Sequence, residues 1–343
     1  MGDVAGPAGL DVRALTAWLD ATHPGLRDGD LRATVIAGGR SNLTYALDDG
    51  THRWVLRRPP LGHVLATAHD MAREHRVISA LAGGPVPVPA TVALCTDHDV
   101  IGAPFFVMER APGRVLRTGD DLRQVPGDER APLARRLVDT LAALHGIDPE
   151  AVGLADLGRP DGFAARQVRR WGTQLAASRS RDVPGIDDLH AALGAAVPTS
   201  QAVAVLHGDF RLDNLLVTDD HRVGAVLDWE MATLGDPLTD LGLALVYWGR
   251  PGAGELLGPV AATPGTIEGY LGGDDLARRY ADATGADLAD LPWYVALGCF
   301  KLAVVLEGIH YRFTRGQTVG ADFDTIGAAV SPLVAAGRAA LAG

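Results

Sequence analysis

Cysteine is nearly absent from the 343-residue chain. Its two cysteines, Cys95 and Cys299, show no CxxC spacing, which excludes a disulfide framework or a cysteine-built zinc site. Positive charge is also short. Lys and Arg total 31 against 42 Asp and Glu, for a formal net charge of −11, which argues against a nucleic-acid partner. Met1–Gly9 lacks a basic stretch followed by an apolar core, so it does not read as a signal peptide. No apolar run reaches the roughly 20 residues of a membrane span, so no membrane partner is expected and the cytoplasm is the default location. What the chain does have is apolar content, 47% spread along its whole length, enough for a sizeable core and against extended disorder.

The spacing of apolar residues gives the organisation. Leu10–Ala21 places Leu10, Leu15, Trp18 and Leu19 near one helical face. Ala33–Ala46 and Trp54–Arg57 flank the Asp48-Asp49-Gly50 turn and read as a β-hairpin. Ala66–Leu81 reads as a helix, Pro85–Pro89 as an extended connector, and Phe105–Met108 as an apolar strand ending at Glu109. Beyond residue 110 helices dominate: Asp128–His145, Phe163–Ser178, Ile186–Ala196, Leu238–Tyr247, Trp293–Phe313 and Phe323–Leu341. Short buried strands are expected at Val203–Leu206, Asn214–Val217 and Gly224–Leu227. The division is therefore an N-terminal helical segment (1–29), a small sheet-rich lobe (30–110) and a larger helical lobe (111–343), α+β overall. A helical insertion occupies about 154–200.

The chemistry concentrates in Val205-Leu206-His207-Gly208-Asp209-Phe210-Arg211-Leu212-Asp213-Asn214 and Val226-Leu227-Asp228-Trp229-Glu230. One apolar strand delivers a loop with an Asp and, five residues on, an Asn; a second ends in another Asp. Phosphoryl transfer asks for this set: a carboxylate to take or orient a hydroxyl proton, and hard oxygen ligands for a cation beside phosphates. Asp213 lies off this pattern and reads as a solvated turn residue.

His207-Gly208-Asp209-xxxx-Asn214 resembles the catalytic loop of the aminoglycoside phosphotransferases and their choline-kinase-like relatives. It is also similar to the protein-kinase H-R-D-x-x-x-x-N, with Gly in place of Arg. The resemblance implies a two-lobed protein kinase-like fold with ATP between the lobes, Asp209 as the base, and Asn214 and Asp228 as Mg²⁺ ligands. His207 is expected to prop the loop, and Asp240, in Gly235-Asp236-Pro237-xx-Asp240-Leu241, to accept hydrogen bonds from it. Gly38, Gly39, Ser41 and Asn42 occupy the position of a phosphate-covering hairpin.

Val55-Leu56-Arg57-Arg58-Pro59-Pro60 resembles the branch of the family found fused or linked to acyl-CoA dehydrogenases. Arg57 falls where kinases carry a phosphate-binding lysine, and Glu74 is its expected acidic brace. Arg is a bidentate donor and not a point charge, so this is a departure from the common pattern. The backbone at Glu109 is expected to meet the adenine edge.

Two further segments resemble that branch and are the candidate acceptor side: Arg166, Arg170 and Trp171, and Lys301, Glu307 and Arg312. Their basic character points to a carboxylated or CoA-linked hydroxy compound. The competing readings are an aminoglycoside or amino-alcohol kinase, which suits the acidic total, and a catalytically silent nucleotide binder. The short span from Asp228 to Asp240 and the lack of A-P-E argue against a protein kinase.

Overall fold

The computed structural model describes residues 6–36, 42–61, 70–249, 257, 261–316 and 325–343. The chain divides into two compact units. Residues 1–112 with 225–230 make the first, and 113–224 with 231–343 the second.

In the first unit, Asp11 caps helix α1 (Val12–Thr22), its carboxylate accepting from the Arg13 and Ala14 N–H groups at 3.0 Å. Strands β1 (Arg32–Val35), β2 (Leu43–Asp48), β3 (Arg53–Arg58), β4 (Thr91–Cys95) and β5 (Phe105–Glu109) form one sheet in the order β1-β2-β3-β5-β4. All its pairings are antiparallel. Period-2 alternation sends Tyr45, Leu47, Trp54, Leu56, Phe105 and Val107 into one core with Leu15 and Leu19 of α1. Trp18 lies edge-on to Phe105 at 5.1 Å. Helix α2 (Met71–Leu81), capped by Asp70, packs Val77, Ile78 and Leu81 toward β4 and β5. The short helix α3 (His98–Ile101) links β4 to β5. Strand β4 is an element that the proline-punctuated sequence hides. Its pairing with β5 shifts register between Thr91 and Ala93, so regular alternation is broken there.

The second unit contains α4 (Gly119–Gln124), α5 (Gly127–His145), α6 (Phe163–Ser178), α7 (Ile186–Ala195), β6 (Ala204–Leu206), β7 (Leu215–Val217), β9 (Thr233–Gly235) and α8 (Leu238–Trp248). Strand β6 pairs antiparallel with β9. Strand β7 pairs with β8 (Val223–Val226), the strand along which the chain passes from the second unit to the first. The helix Leu291–Thr314 is the hub, packing on α6, α7, α8 and the terminal helix Val330–Ala342. By length and composition it is apolar enough to cross a membrane, which corrects the sequence expectation that no segment is. Most of it is buried inside the second unit, as a core helix would be. Its approach to α8 depends on Gly242, where a Cβ would meet the Tyr294 backbone at 2.6 Å.

Candidate active site

The first unit gathers one cation and three carboxylates. Arg57 lies on β3, inside the sheet between Thr44 of β2 and Phe106 of β5. Alternation separates the Arg-Arg pair. Arg58 turns the other way and donates to the backbone carbonyls of Gly9 and Ile101. Arg57 Nε lies 3.1 Å from Glu74 Oε1 on α2, and another guanidinium nitrogen donates to Asp228 Oδ1 at 2.8 Å. The Glu74 contact is close but not aligned as a hydrogen bond.

Burial works against the Arg57 charge, yet Glu74, Asp228 and Glu230 together raise its pKa above the ordinary value. Asn42 does not point its amide away from the protein; Nδ2 donates to Glu230 Oε2 at 3.0 Å. Val226 N–H donates to Pro87 O at 2.8 Å, tying the Asp228 segment into this unit. Asp228 itself has φ +65°, a left-handed conformation that few non-glycine residues adopt, Asp among the more frequent of them. The buried Trp229 indole donates to Val226 O at 3.0 Å and closes the turn.

Gly38, Gly39 and Ser41 lie outside the described residues. At Glu109 the backbone N–H groups are engaged within the first unit. Its N–H is already given to Ala90 O (2.8 Å) and that of Arg110 to Arg53 O (3.1 Å), because sheet pairing runs to the end of β5. Neither N–H is left for an adenine edge.

Burial pushes the Glu74 carboxyl up to about 7, against the pull of Arg57, with Asp228 adding to the rise. The folded protein therefore holds that proton more tightly than the unfolded chain, where Glu titrates near 4.5. This group's contribution to stability is full below pH 4.5 and is lost as pH rises through 7. Glu74→Gln is expected to flatten the melting temperature between pH 5 and 8. An unchanged slope would assign that pH dependence to other groups.

In the second unit β6 delivers His207-Gly208-Asp209. Asp240, buried near the start of α8, accepts from His207 N–H at 2.6 Å and from Gly208 N–H at 2.9 Å. Burial disfavours its charge, but these bonds and His145, whose Nε2 lies 3.5 Å away, lower its pKa. His207 is fully buried, and its ring nitrogen lies 3.2 Å from Asp209 N. Gly208 holds φ +83°, and a Cβ there would meet Met231 O at 2.6 Å, so only glycine fits. On its other side the Gly208 carbonyl accepts from Lys301 Nζ at 2.6 Å. The loop is thus held at its N–H groups by a carboxylate and at its carbonyl by an ammonium.

The Asp209 carboxylate meets Tyr247 OH at 3.0 Å through Oδ1 and Asn214 Nδ2 at 3.2 Å through Oδ2. Asn214 Nδ2 also donates to Asp209 O at 2.9 Å. Arg211 Nε lies 3.7 Å from Asp209 Oδ2, and its guanidinium pairs with Asp213 at 3.2 Å. Asp213 is therefore no solvated turn residue. Its side chain is 13% exposed, and burial raises its pKa.

The candidate acceptor residues separate into two groups. Lys301 lies 5.6 Å from the Trp171 ring and Arg170 5.3 Å, so two cations share one indole. Burial lowers the Lys301 pKa while Asp209 and Asp240 work against that. Arg166, by contrast, donates to the backbone carbonyls of Arg159 and Asp161 and ties down the loop before α6. Glu307 is fully buried and bonded to Ser180 (2.7 Å) and Arg181 (3.0 Å), so it anchors the loop after α6 and is not open to a substrate. Arg312 is exposed near the end of its helix.

Residues 32–280 match the model of the phosphotransferase enzyme family named APH, well over half of the chain. The chain belongs to this family. Among curated relatives, acyl-CoA dehydrogenase family member 11 of Rattus norvegicus is 35% identical over 96% of this chain and 43% of that protein. The chain thus spans under half the length of the first curated relatives it matches. A candidate aminoglycoside phosphotransferase from Ralstonia eutropha JMP134 has a crystal structure with TM-score 0.83 and 33% identity, covering 97% of this chain and 98% of that one. The ternary complex of a thermostable mutant of aminoglycoside phosphotransferase APH(4)-Ia with ADP and hygromycin B has TM-score 0.61 and 17% identity, covering 95% and 98%. It shows likeness of fold alone. The fold is the family's kinase-like α+β arrangement, a five-stranded antiparallel sheet followed by a helical region.

The sequence did not single out Tyr247 or Arg211. Arg211 lies within the loop that carries Asp209 and had a local signal; Tyr247 lies on an apolar helix and had none.

Proposed function

We propose that the protein is an ATP- and Mg²⁺-dependent phosphotransferase acting on a hydroxyl of an anionic small molecule, with a hydroxyacyl-CoA thioester as the leading acceptor. The observation that carries the reading is the Asp209 carboxylate, presented on an immobilised loop and bonded at both oxygens. Such a group can orient an acceptor hydroxyl and receive its proton. Arg57, held by Glu74 and Asp228, is the phosphate-binding group, and Arg is suited to two phosphate oxygens at once. The ADP complex of APH(4)-Ia supports a nucleotide as donor.

Mg²⁺ is compatible with the donors present. Among the described residues no three His, Cys, Asp or Glu side chains form a metal cluster, which disfavours a protein-only cage. Asp228 and Asn214 each offer a hard oxygen, the small number that Mg²⁺ takes from a protein when phosphates and water complete its shell. When bound, Mg²⁺ offsets the negative charge of the phosphates.

The acceptor class rests on charge. Lys301 and Arg170 share the Trp171 ring and Arg211 lies 3.7 Å from Asp209, although the whole chain is acidic. An anionic acceptor suits them better than a polycation. The curated relatives named for acyl-CoA dehydrogenases support the thioester, whereas the Ralstonia structure supports an aminoglycoside. The test is ADP release from Mg·ATP with each class of compound. Stimulation of at least tenfold by a hydroxyacyl-CoA, and none by aminoglycosides or amino alcohols, is expected. The reverse pattern would replace the acceptor, and nucleotide binding without turnover on anything would replace the enzyme by a silent binder.

A further inference from the structure

We propose that Tyr247 is a positioning residue for phosphoryl transfer, fixing the Asp209 carboxylate by a hydrogen bond while Arg211 clamps the phenol ring. The assignment rests on the proposed role of Asp209. The loop backbone around Asp209 is already fixed by Asp240 from one side and Lys301 from the other. The freedom that remains is rotation of the Asp209 side chain. Tyr247 OH holds Oδ1 and Asn214 Nδ2 holds Oδ2, so the carboxylate cannot turn without breaking a bond.

Tyr247 stands at the penultimate position of α8, whose other buried side chains include Leu238, Leu241, Leu243, Leu245, Val246 and Trp248. On such an apolar helix phenylalanine would fill the space equally well, so the hydroxyl is the informative atom. Burial first, and then the neighbouring Asp209 charge, hold the phenol protonated and therefore a donor. The Arg211 guanidinium lies 5.0 Å from the ring centre, within cation–π range, and the same group reaches Asp209 and Asp213. The phenol is thus bonded to the carboxylate, and the guanidinium lies against the ring and within ion-pair range of the same carboxylate. An acceptor hydroxyl approaching Asp209 then meets a carboxylate already turned to one orientation.

Tyr247→Phe removes one atom and keeps the shape. Turnover, followed as ADP release from Mg·ATP with a hydroxyacyl-CoA panel and with water alone, is expected to fall about 10–10²-fold, the scale of a misplaced reacting group. The KM for Mg·ATP and the melting temperature should stay near wild type. In an Asp209→Ala background the same change should slow the residual reaction no further. Arg211→Gln, which leaves the phenol but removes its clamp, should also lower kcat and spare the KM for Mg·ATP.

Wild-type turnover in Tyr247→Phe, or an equal loss with and without Asp209, would overturn the assignment. Should Tyr247→Phe fail to fold, an unchanged kcat in Arg211→Gln would do so instead. ADP from the wild type with no effect of Tyr247→Phe defeats this assignment alone. No ADP from the wild type with any acceptor, water included, defeats the phosphotransferase reading and this assignment together.

Discussion

Asp209→Ala is expected to slow phosphoryl transfer by about 10²–10⁴-fold, the range for loss of a positioned base. Nucleotide affinity should stay close to wild type. The reason lies in what surrounds the carboxylate. Its two oxygens meet Tyr247 and Asn214, while the loop carrying it is held through backbone groups by Asp240 and Lys301. Removing the side chain therefore takes away the proposed base without releasing the loop. Steady-state ADP formation gives the rate, and a nucleotide-dependent melting shift gives the binding. Turnover within tenfold of wild type would exclude Asp209 as the base.

Asp228→Ala is expected to have the opposite signature, with the Mg²⁺-dependent part of nucleotide binding lost outright. At a ligand concentration 100 times Kd, binding to the native state contributes about 2.7 kcal/mol. The wild type should then gain several degrees in melting temperature with Mg·ATP, and the variant little or none. Asp228 also neutralises Arg57, which would keep only Glu74 at 3.1 Å and the field of Glu230. Some nucleotide affinity through Arg57 alone should remain without Mg²⁺. A full Mg²⁺-dependent shift in the variant would remove Asp228 as a metal ligand.

What the sequence made legible was local. A strand of period 2 announced which of two adjacent arginines faces the carboxylates only once its partners were known, but the motif position already favoured Arg57. The His-Gly-Asp-xxxx-Asn loop could be read because its members lie within eight residues, and Asp240 because it follows a short fixed segment. Tyr247 could not be read. It reaches Asp209 across 38 residues, from a helix whose composition says only that it is buried. Lys301 is a candidate through its resemblance to the branch, but its bond to Gly208, 93 residues away, has no local signature. Glu307 on the same helix looked alike in sequence and turned out to anchor a loop. Asp213 looked solvated because nothing nearby in sequence shows that Arg211 folds over it. Distance along the chain, and not weakness of the interaction, separates the two sets.

The six residues Ala225–Glu230 belong to the first unit although 112 residues of the second precede them. The first unit is thus not a continuous stretch of gene. A fragment ending at Pro112 would carry Arg57 and Glu74 but lack Asp228, leaving a buried guanidinium short of a counter-charge. Exchange of first units between relatives has the same requirement: a transplant must include this hexapeptide or inherit the recipient's. Recombination at the Pro112–Gly113 border alone would pair an arginine from one ancestor with an aspartate from another. Where one parent has lysine at that position, the hybrid would test at once whether the two residues must change together.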